Sequence, residues 1–305
     1  MNLKFWGVRG GIPTPGPQTV KFGGNTSCLE LEFRETQRRI IIDAGSGIRQ
    51  LGNRLMQNKT DKNCISADLF LTHTHLDHIL GLPFFAPIYL PDTDLRIYGP
   101  VTCEEEPLEF VIGAQLSYRY FPVRQAELAA NIEYLNLQEG HFDLGDGIKL
   151  VTKYLNHPLL CLGYRFEYRG KSICTAYDTE PFYNVFSTDT NDPSYDEAMA
   201  KEGELAAQIE NSRIEDFIRD ANILIYDAQY LQDEYETGRA GWGHASIEYA
   251  IETARRSQAE TLILFHHDPM RTDSEIDELS DRFCQPKHTA DTQVLFAREG
   301  MVIDI

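Results

Sequence analysis

Apolar residues in this chain fall in short runs, rich in β-branched side chains and closed by Gly, Asp or His, which is the pattern of strands. The runs are Leu3–Trp6, Cys28–Phe33, Arg39–Ile42, Asp68–Thr72, Leu95–Tyr98, Ile148–Leu155, Leu162–Tyr168, Ser172–Ala176, Ile223–Tyr226 and Thr261–Phe265, with a last ribbon over Val294–Ile305. Helical spacing appears between some of them. Ile48, Leu51 and Leu55 share one helix face, as do Ile247, Ala250, Ile251 and Ala254. No internal repeat, low-complexity tract or linker interrupts the series. The pattern predicts a single α/β domain over residues 1–305, with two packed sheets and helices outside.

One stretch departs from it. Between Tyr183 and Asp220, ten acidic residues stand against three basic ones, opening with the turn-rich STDTNDPSYDE. A solvated loop followed by a surface helix accounts for this composition. The position directly after Asp178 supports a second reading, an acidic insertion around 183–220 that covers part of a site.

The formal charge of −19 over 305 residues repels polyanions. No basic cluster offsets it beyond Arg38-Arg39 beside a strand, which argues against a large nucleic-acid substrate and says little about a small one. The six cysteines (Cys28, Cys64, Cys103, Cys161, Cys174, Cys284) are scattered, without a C-x-x-C pair. Reduced, mostly buried thiols follow, and a cysteine-based zinc site does not. With no apolar run of about 18 residues and no signal-peptide pattern at the N-terminus, a cytoplasmic protein without a membrane partner is expected.

The densest chemistry lies in DLFLTHTHLDHILGLPFF. A buried strand runs into His73, Thr74, His75, Leu76, Asp77 and His78. Residues two apart on an extended strand point the same way, so His73 and His75 can bind one cation together. Asp77 and His78 follow as the chain turns into a short helix, where they can face a neighbouring cation. Imidazole nitrogens with carboxylate oxygens suit zinc, and manganese or iron accept a similar set. Left unpaired in a core, four such side chains would carry a large desolvation cost.

This H-x-H-x-D-H run resembles the signature of the metallo-β-lactamase superfamily, and the resemblance extends across nearly the whole chain. It implies an αββα sandwich of two mixed sheets with helices outside. It also implies two divalent ions per chain, zinc or manganese, held by His73, His75, Asp77, His78, His157, Asp178 and His266. Asp43, closing RIIIDAG, is similar to the aspartate that supports the ligands. His157 stands in NHPLLCLGYRF, Asp178 in ICTAYDTE as the carboxylate between the ions, and His266 in LILFHHDP. A lone strand-end Asp such as Asp43 is ordinarily a turn residue, and His157 before Pro158 is ordinarily a loop residue. His267 competes with His266 and is expected to point away or to pack behind the ligands. His141 and His288 are left as surface residues.

Three segments resemble the phosphodiesterase branch, in particular the ribonuclease Z endonucleases: HPLLCLGYRF, LIYDAQY and GWGHASIEYA. His244 precedes Ser246, an expected N-cap of the helix from Ile247, and a helix start lowers an imidazole pKa. Asp227, which stands where the branch has Glu, would oppose the helix and keep the ring protonated. The pair then reads as general acid and orienting carboxylate, with Asp77 as the third catalytic residue; a buried structural His–Asp bond is the plain alternative. The N-terminal FWGVRGGIPTPGPQTVKFGGNTSCLEL is similar to small cyclic-phosphate phosphodiesterases, with Asn25 of its Gly-Gly-Asn turn and His244 as expected substrate contacts. The resulting expectation is a homodimeric phosphodiesterase that opens a small cyclic phosphodiester, most simply a 3′,5′-cyclic nucleotide. A ribonuclease Z-like tRNA 3′-processing enzyme and a thiolester or lactone hydrolase are the alternatives.

Overall fold

The computed structural model describes residues 1–59, 64–101, 106–284 and 292–305. Two seven-stranded mixed sheets form the centre of the molecule. In the first, β1 (Asn2–Gly7) lies between β14 (Val302–Asp304) and β2 (Cys28–Phe33); β3 (Arg38–Ile42), β4 (Ile65–Phe70), β5 (Thr93–Pro100) and β6 (Asn131–Leu137) follow in order. In the second, β7 (Gly140–Asp143), β8 (Lys149–Leu155), β9 (Cys161–Tyr168), β10 (Lys171–Ala176), β11 (Ile223–Asp227), β12 (Thr261–Phe265) and β13 (Gln293–Phe296) lie side by side. β3 to β6 run parallel, as do β10 to β13.

The apolar runs are continuous because these strands are covered on both faces. Phe5, Ile40, Ile42 and Phe70 of the first sheet meet Phe166, Ile173, Ile225, Ile263 and Phe265 of the second. The alternate residues Ile41, Leu69 and Ile97 pack outward under α1 (Ile48–Asn58), whose Ile48, Leu51 and Leu55 form the expected face. On the other side, Leu224, Leu262 and Leu264 pack outward under α4 (Glu197–Ile218), α6 (Ile247–Arg256) and α7 (Asp273–Phe283). The short helices α2 (Leu76–Ile79), α3 (Leu108–Gly113) and α5 (Gln232–Glu236) lie in the loops. The layering is the expected αββα sandwich. Among the described residues no helix is long and apolar enough to cross a membrane.

Three details differ from the sequence pattern. The ribbon expected over Val294–Ile305 is two strands in different sheets: β13 borders β12, and after the turn at Gly300 (φ +78°) β14 pairs with β1. β6 and β7 escape the pattern because each is the edge of its sheet and buries little, so NIEYLNL and GHFD remain mostly polar. β4 ends at Phe70, short of Thr72, whose backbone N–H and hydroxyl serve the site instead. In the acidic stretch, Asp196 caps α4 through Ala198 N and Met199 N, and a face bearing Ala200, Ala207, Ile214 and Phe217 is buried. Cys28, Cys161 and Cys174 are buried free thiols, whereas Cys64 is exposed; Cys103 and His288 lie outside the described residues.

Candidate metal centre

The side chains singled out in the sequence gather where strands of both sheets end. Asp43 follows β3, His73 follows β4, Asp178 follows β10, Asp227 closes β11 and His266 follows β12. Three of these turn sharply off their strands: Asp43 (φ 62°), Asp178 (φ 56°) and His266 (φ 62°) hold the left-handed backbone that non-glycine residues rarely adopt. Strand and loop then diverge at one residue, which swings each side chain into the space between the sheet ends.

Two groups of donors converge there. In the first, His73 Nε2 lies 2.9 Å and His157 Nε2 3.1 Å from His75 Nδ1. In the second, Asp77 Oδ2 lies 3.4 Å from His78 Nε2 and 3.3 Å from His266 Nε2. Asp178 stands between the groups. Its Oδ2 is 3.3 Å from His78 Nε2, 3.6 Å from His73 Nε2 and 4.0 Å from His157 Nε2, and its Oδ1 is 3.3 Å from His266 Nε2. Nitrogens bound at the zinc–imidazole distance in a tetrahedron are about 3.3 Å apart, close to the spacing within the first group.

The surroundings determine which imidazole nitrogen faces inward. His78 Nδ1 donates to Asp43 Oδ2 at 2.8 Å, His157 Nδ1 to Gly243 O at 3.0 Å and His266 Nδ1 to Gln229 Oε1 at 3.0 Å. Each leaves Nε2 for the centre, which is how metal-binding imidazoles are oriented. Asp43 is the hub of this support, since Thr72 N, Thr72 Oγ1, Ser27 Oγ and Tyr177 OH also donate to it. Gly11 N donates to Asp77 Oδ2 at 2.7 Å.

Electrostatics favour cations. Burial alone would neutralise both acids, yet His78 and His266 hold Asp77 and Asp178 well below the usual carboxylate range. Burial also opposes charge on His78, but Asp178, Asp77 and Asp43 outweigh it and raise its pKa well above the usual range, so the site draws positive charge. His73 is pushed well below its usual range by burial and His78, and burial takes His157 down to about 4. Neutral His73 and His157 beside ionised carboxylates form part of a divalent-cation donor set, and a cation would take the place of a proton on His78. His78 Nε2 and Asp178 Oδ1 are moreover buried without any hydrogen-bond partner, a costly state that an ion between them relieves. The two clusters fit a binuclear metal site.

Sequence comparison agrees with the geometry. Residues 38–267 match the family model for the beta-lactamase superfamily domain. The chain belongs to that superfamily. Its likeness runs to the ribonuclease Z and PhnP-like phosphodiesterase branch. Ribonuclease Z of Lactococcus lactis subsp. lactis (strain IL1403) is 25% identical over 294 residues, covering 87% of this chain and 88% of that protein. Two solved structures share the fold end to end. A diphosphatase from the PhnP family has a TM-score of 0.64 at 16% identity, over 100% of this chain and 97% of the other. The short form of human tRNase Z has a TM-score of 0.59 at 18% identity, over 100% and 99%. With its His/Asp centre, this superfamily member is a metal-dependent hydrolase of the phosphodiesterase branch.

Beside the clusters, His244 Nδ1 donates to Asp227 Oδ2 at 2.9 Å, and the His244 ring stacks on that of His266 with centroids 4.9 Å apart. Burial opposes charge on His244, but Asp227, then Asp178 and Asp77, lift it to about 9. Asp227 does more than orient the ring: it also accepts from Asp178 N, Ala245 N and Gln229 N. Four donors occupy its oxygens, so it is spent as support. Ser246 caps α6 through Tyr249 N, as expected.

His267 Nε2 donates to Ala297 O at 2.8 Å, and its ring packs near Phe22 and Phe296, away from the donors. Asn25 is a turn residue: its side chain joins Glu299 at 2.9 Å and receives Ser46 Oγ at 2.9 Å. These bonds hold the Gly-Gly-Asn turn in place. Sequence reasoning missed Thr72, Tyr177 and Gln229, and also Gly10, where a Cβ would lie 2.3 Å from the His266 ring. The GVRGG motif was the available signal. Its Arg9 is fully buried and ties Gly23 O to Asp268 O, setting Gly10 and Gly11 against His266 and Asp77.

Proposed function

We propose that this protein hydrolyses a phosphodiester whose leaving group is a ribose hydroxyl, with His244 as general acid. In this reading His73, His75 and His157 would hold one divalent ion and Asp77, His78 and His266 the other, with Asp178 a donor to both. When bound, such ions neutralise charge at phosphorus and lower the pKa of water towards neutrality. Zinc and manganese both suit the donors. The protein's own part is to orient the substrate and to deliver a proton to the departing oxygen.

The observation that carries the reading is the Asp227–His244 pair on the rim of the centre. An alkoxide leaving group needs a protonated donor, and a raised pKa keeps His244 in that form at neutral pH. Turnover of alkoxide substrates is therefore retained below the His244 pKa and lost as pH rises through it. Bound cations pull that limb to pH 9 or below. A thiolester or lactone hydrolase gives this pair no comparable role.

Two substrate sizes fit the same chemistry. Similarity to proteins named ribonuclease Z supports a tRNA 3′ end better than the small cyclic phosphodiester expected from the sequence. The net charge of −19 supports the small substrate. Incubating the metal-loaded protein with a tRNA carrying a 3′ trailer, with 3′,5′-cyclic nucleotides, with bis-p-nitrophenyl phosphate and with a thiolester separates the readings. His244→Ala is expected to lower turnover of the ribose ester by roughly 10²–10⁴-fold. The same change should cost far less on bis-p-nitrophenyl phosphate, whose leaving group departs unaided. Equal losses on both would remove the general-acid role, and thiolester cleavage alone would remove the phosphodiesterase reading. A homodimer, implied by resemblance, belongs to the same proposal, and light scattering showing a monomer would exclude it.

A further inference from the structure

A pocket of about 300 Å³ opens beside the metal centre, sharing His157 with it. Its walls are Asn156, Pro158, Phe182, Tyr183, Val185 and Gly241, and Glu180 lines it as well. Other grooves on the molecule are larger, but none of those described includes a residue of the centre. This pocket also lies on the side of the proposed proton donor, since the His157 and His244 rings meet edge to face with centroids 5.4 Å apart.

The walls come from two segments locked together by one buried carboxylate. Glu180 is 6% exposed, and its oxygens accept from Gly241 N at 2.8 Å, Gly243 N at 3.3 Å and Tyr235 OH at 3.0 Å. Gly241 (φ +85°) and Gly243 (φ +83°) adopt a backbone suited to glycine, and the Gly243 carbonyl in turn receives His157 Nδ1. The opposite wall is held by Asn211, which bonds Phe182 N and O, and by Asn184, which bonds Ala200 O. The cavity is thus built before any ligand arrives. Tyr183 remains 50% exposed on its rim, with its hydroxyl beside Gly241.

We infer that this pocket receives the nucleobase of the nucleoside whose ribose oxygen leaves, with Tyr183 as its stacking wall. The inference rests on the phosphodiesterase reading above and adds to it the seat of the leaving group. A phosphate at the centre, with its leaving oxygen towards His244, directs the attached nucleoside to the His157 side. The pocket found there is aromatic, preformed and at the small end of small-molecule sites. Stacking on an aromatic ring is tolerant of base identity, so Tyr183 supplies affinity for a base in general. The loop 181–186 that builds the wall begins the acidic stretch, so the start of that stretch borders the site while α4 covers the outer face of a sheet.

Calorimetric titration of the metal-loaded full chain with the four ribonucleoside 5′-monophosphates, and with ribose 5-phosphate, tests this without turnover. At least one nucleotide is expected to bind about 5- to 150-fold more tightly than ribose 5-phosphate, the range that base stacking supplies. Tyr183→Ala should erase that preference and leave ribose 5-phosphate binding and metal content unchanged, whereas Tyr183→Phe should keep it. Equal binding of all five ligands, or a preference that survives Tyr183→Ala, overturns the pocket. A base preference in a protein that cleaves no phosphodiester would instead leave the pocket standing and overturn the function on which it was built.

Discussion

The two donor groups of the centre differ in how they are exposed and how they are supported. In the His73–His75–His157 group the His73 and His157 side chains are buried and His75 alone is exposed. In the Asp77–His78–His266 group every member is buried. The open group is presented by a strand end and one loop. The buried group is braced by Gly11 N, Asp43 and Gln229, and it contains the partnerless His78 Nε2. Exposed donors can exchange an ion for water at little cost, whereas buried ones must keep a cation or a proton. The difference teaches that one pair of ions would be held by two kinds of physics: access on one side, enclosure on the other.

The largest test removes what the two groups share. Asp178→Ala should lose both ions and lower activity by roughly 10³-fold or more, because charge at both positions is left uncompensated. Elemental analysis showing two ions retained would mean that the groups do not depend on a common carboxylate. A smaller effect is expected on one side alone. In Gly10→Ala the new methyl would sit 2.3 Å from the His266 ring, so the ring must move. One ion should then bind roughly 10–100-fold more weakly, the usual cost of disturbing a ligand's support, while the open group keeps its own. Loss of both ions would join the groups into a single unit. The smallest effect on the centre belongs to His267→Ala. Metal content should stay at the wild-type level while stability falls by about 1–3 kcal/mol through the lost buried hydrogen bond to Ala297. A missing ion in this variant would exchange the roles of His266 and His267.

Much of this was legible in the chain itself, for reasons of short range. His73, His75, Asp77 and His78 lie within six residues, where strand alternation and one helical turn fix their relative directions without help from the fold. The buried strands were legible because β3, β11 and β12 carry unbroken apolar runs, and the edge strands β6 and β7 were missed because theirs are interrupted by polar residues. Gln229 carried no signal of its own: an isolated glutamine gains meaning only once His266, 37 residues later, is beside it.

What the sequence by itself determined is the sandwich, the dense donor run and the chemistry those donors prefer, because periodicity and side-chain type act locally. Only the tertiary structure decided the rest. It turned Asp43, Asp178 and His266 off their strands into left-handed backbone, spent Asn25 on Glu299 and Ser46, and faced His267 towards Ala297. It also brought Asp227 onto both His244 and the backbone of Asp178. These choices follow from packing partners tens to hundreds of residues apart, whose approach is set by two sheets closing on a common core and is written in no single segment of the chain.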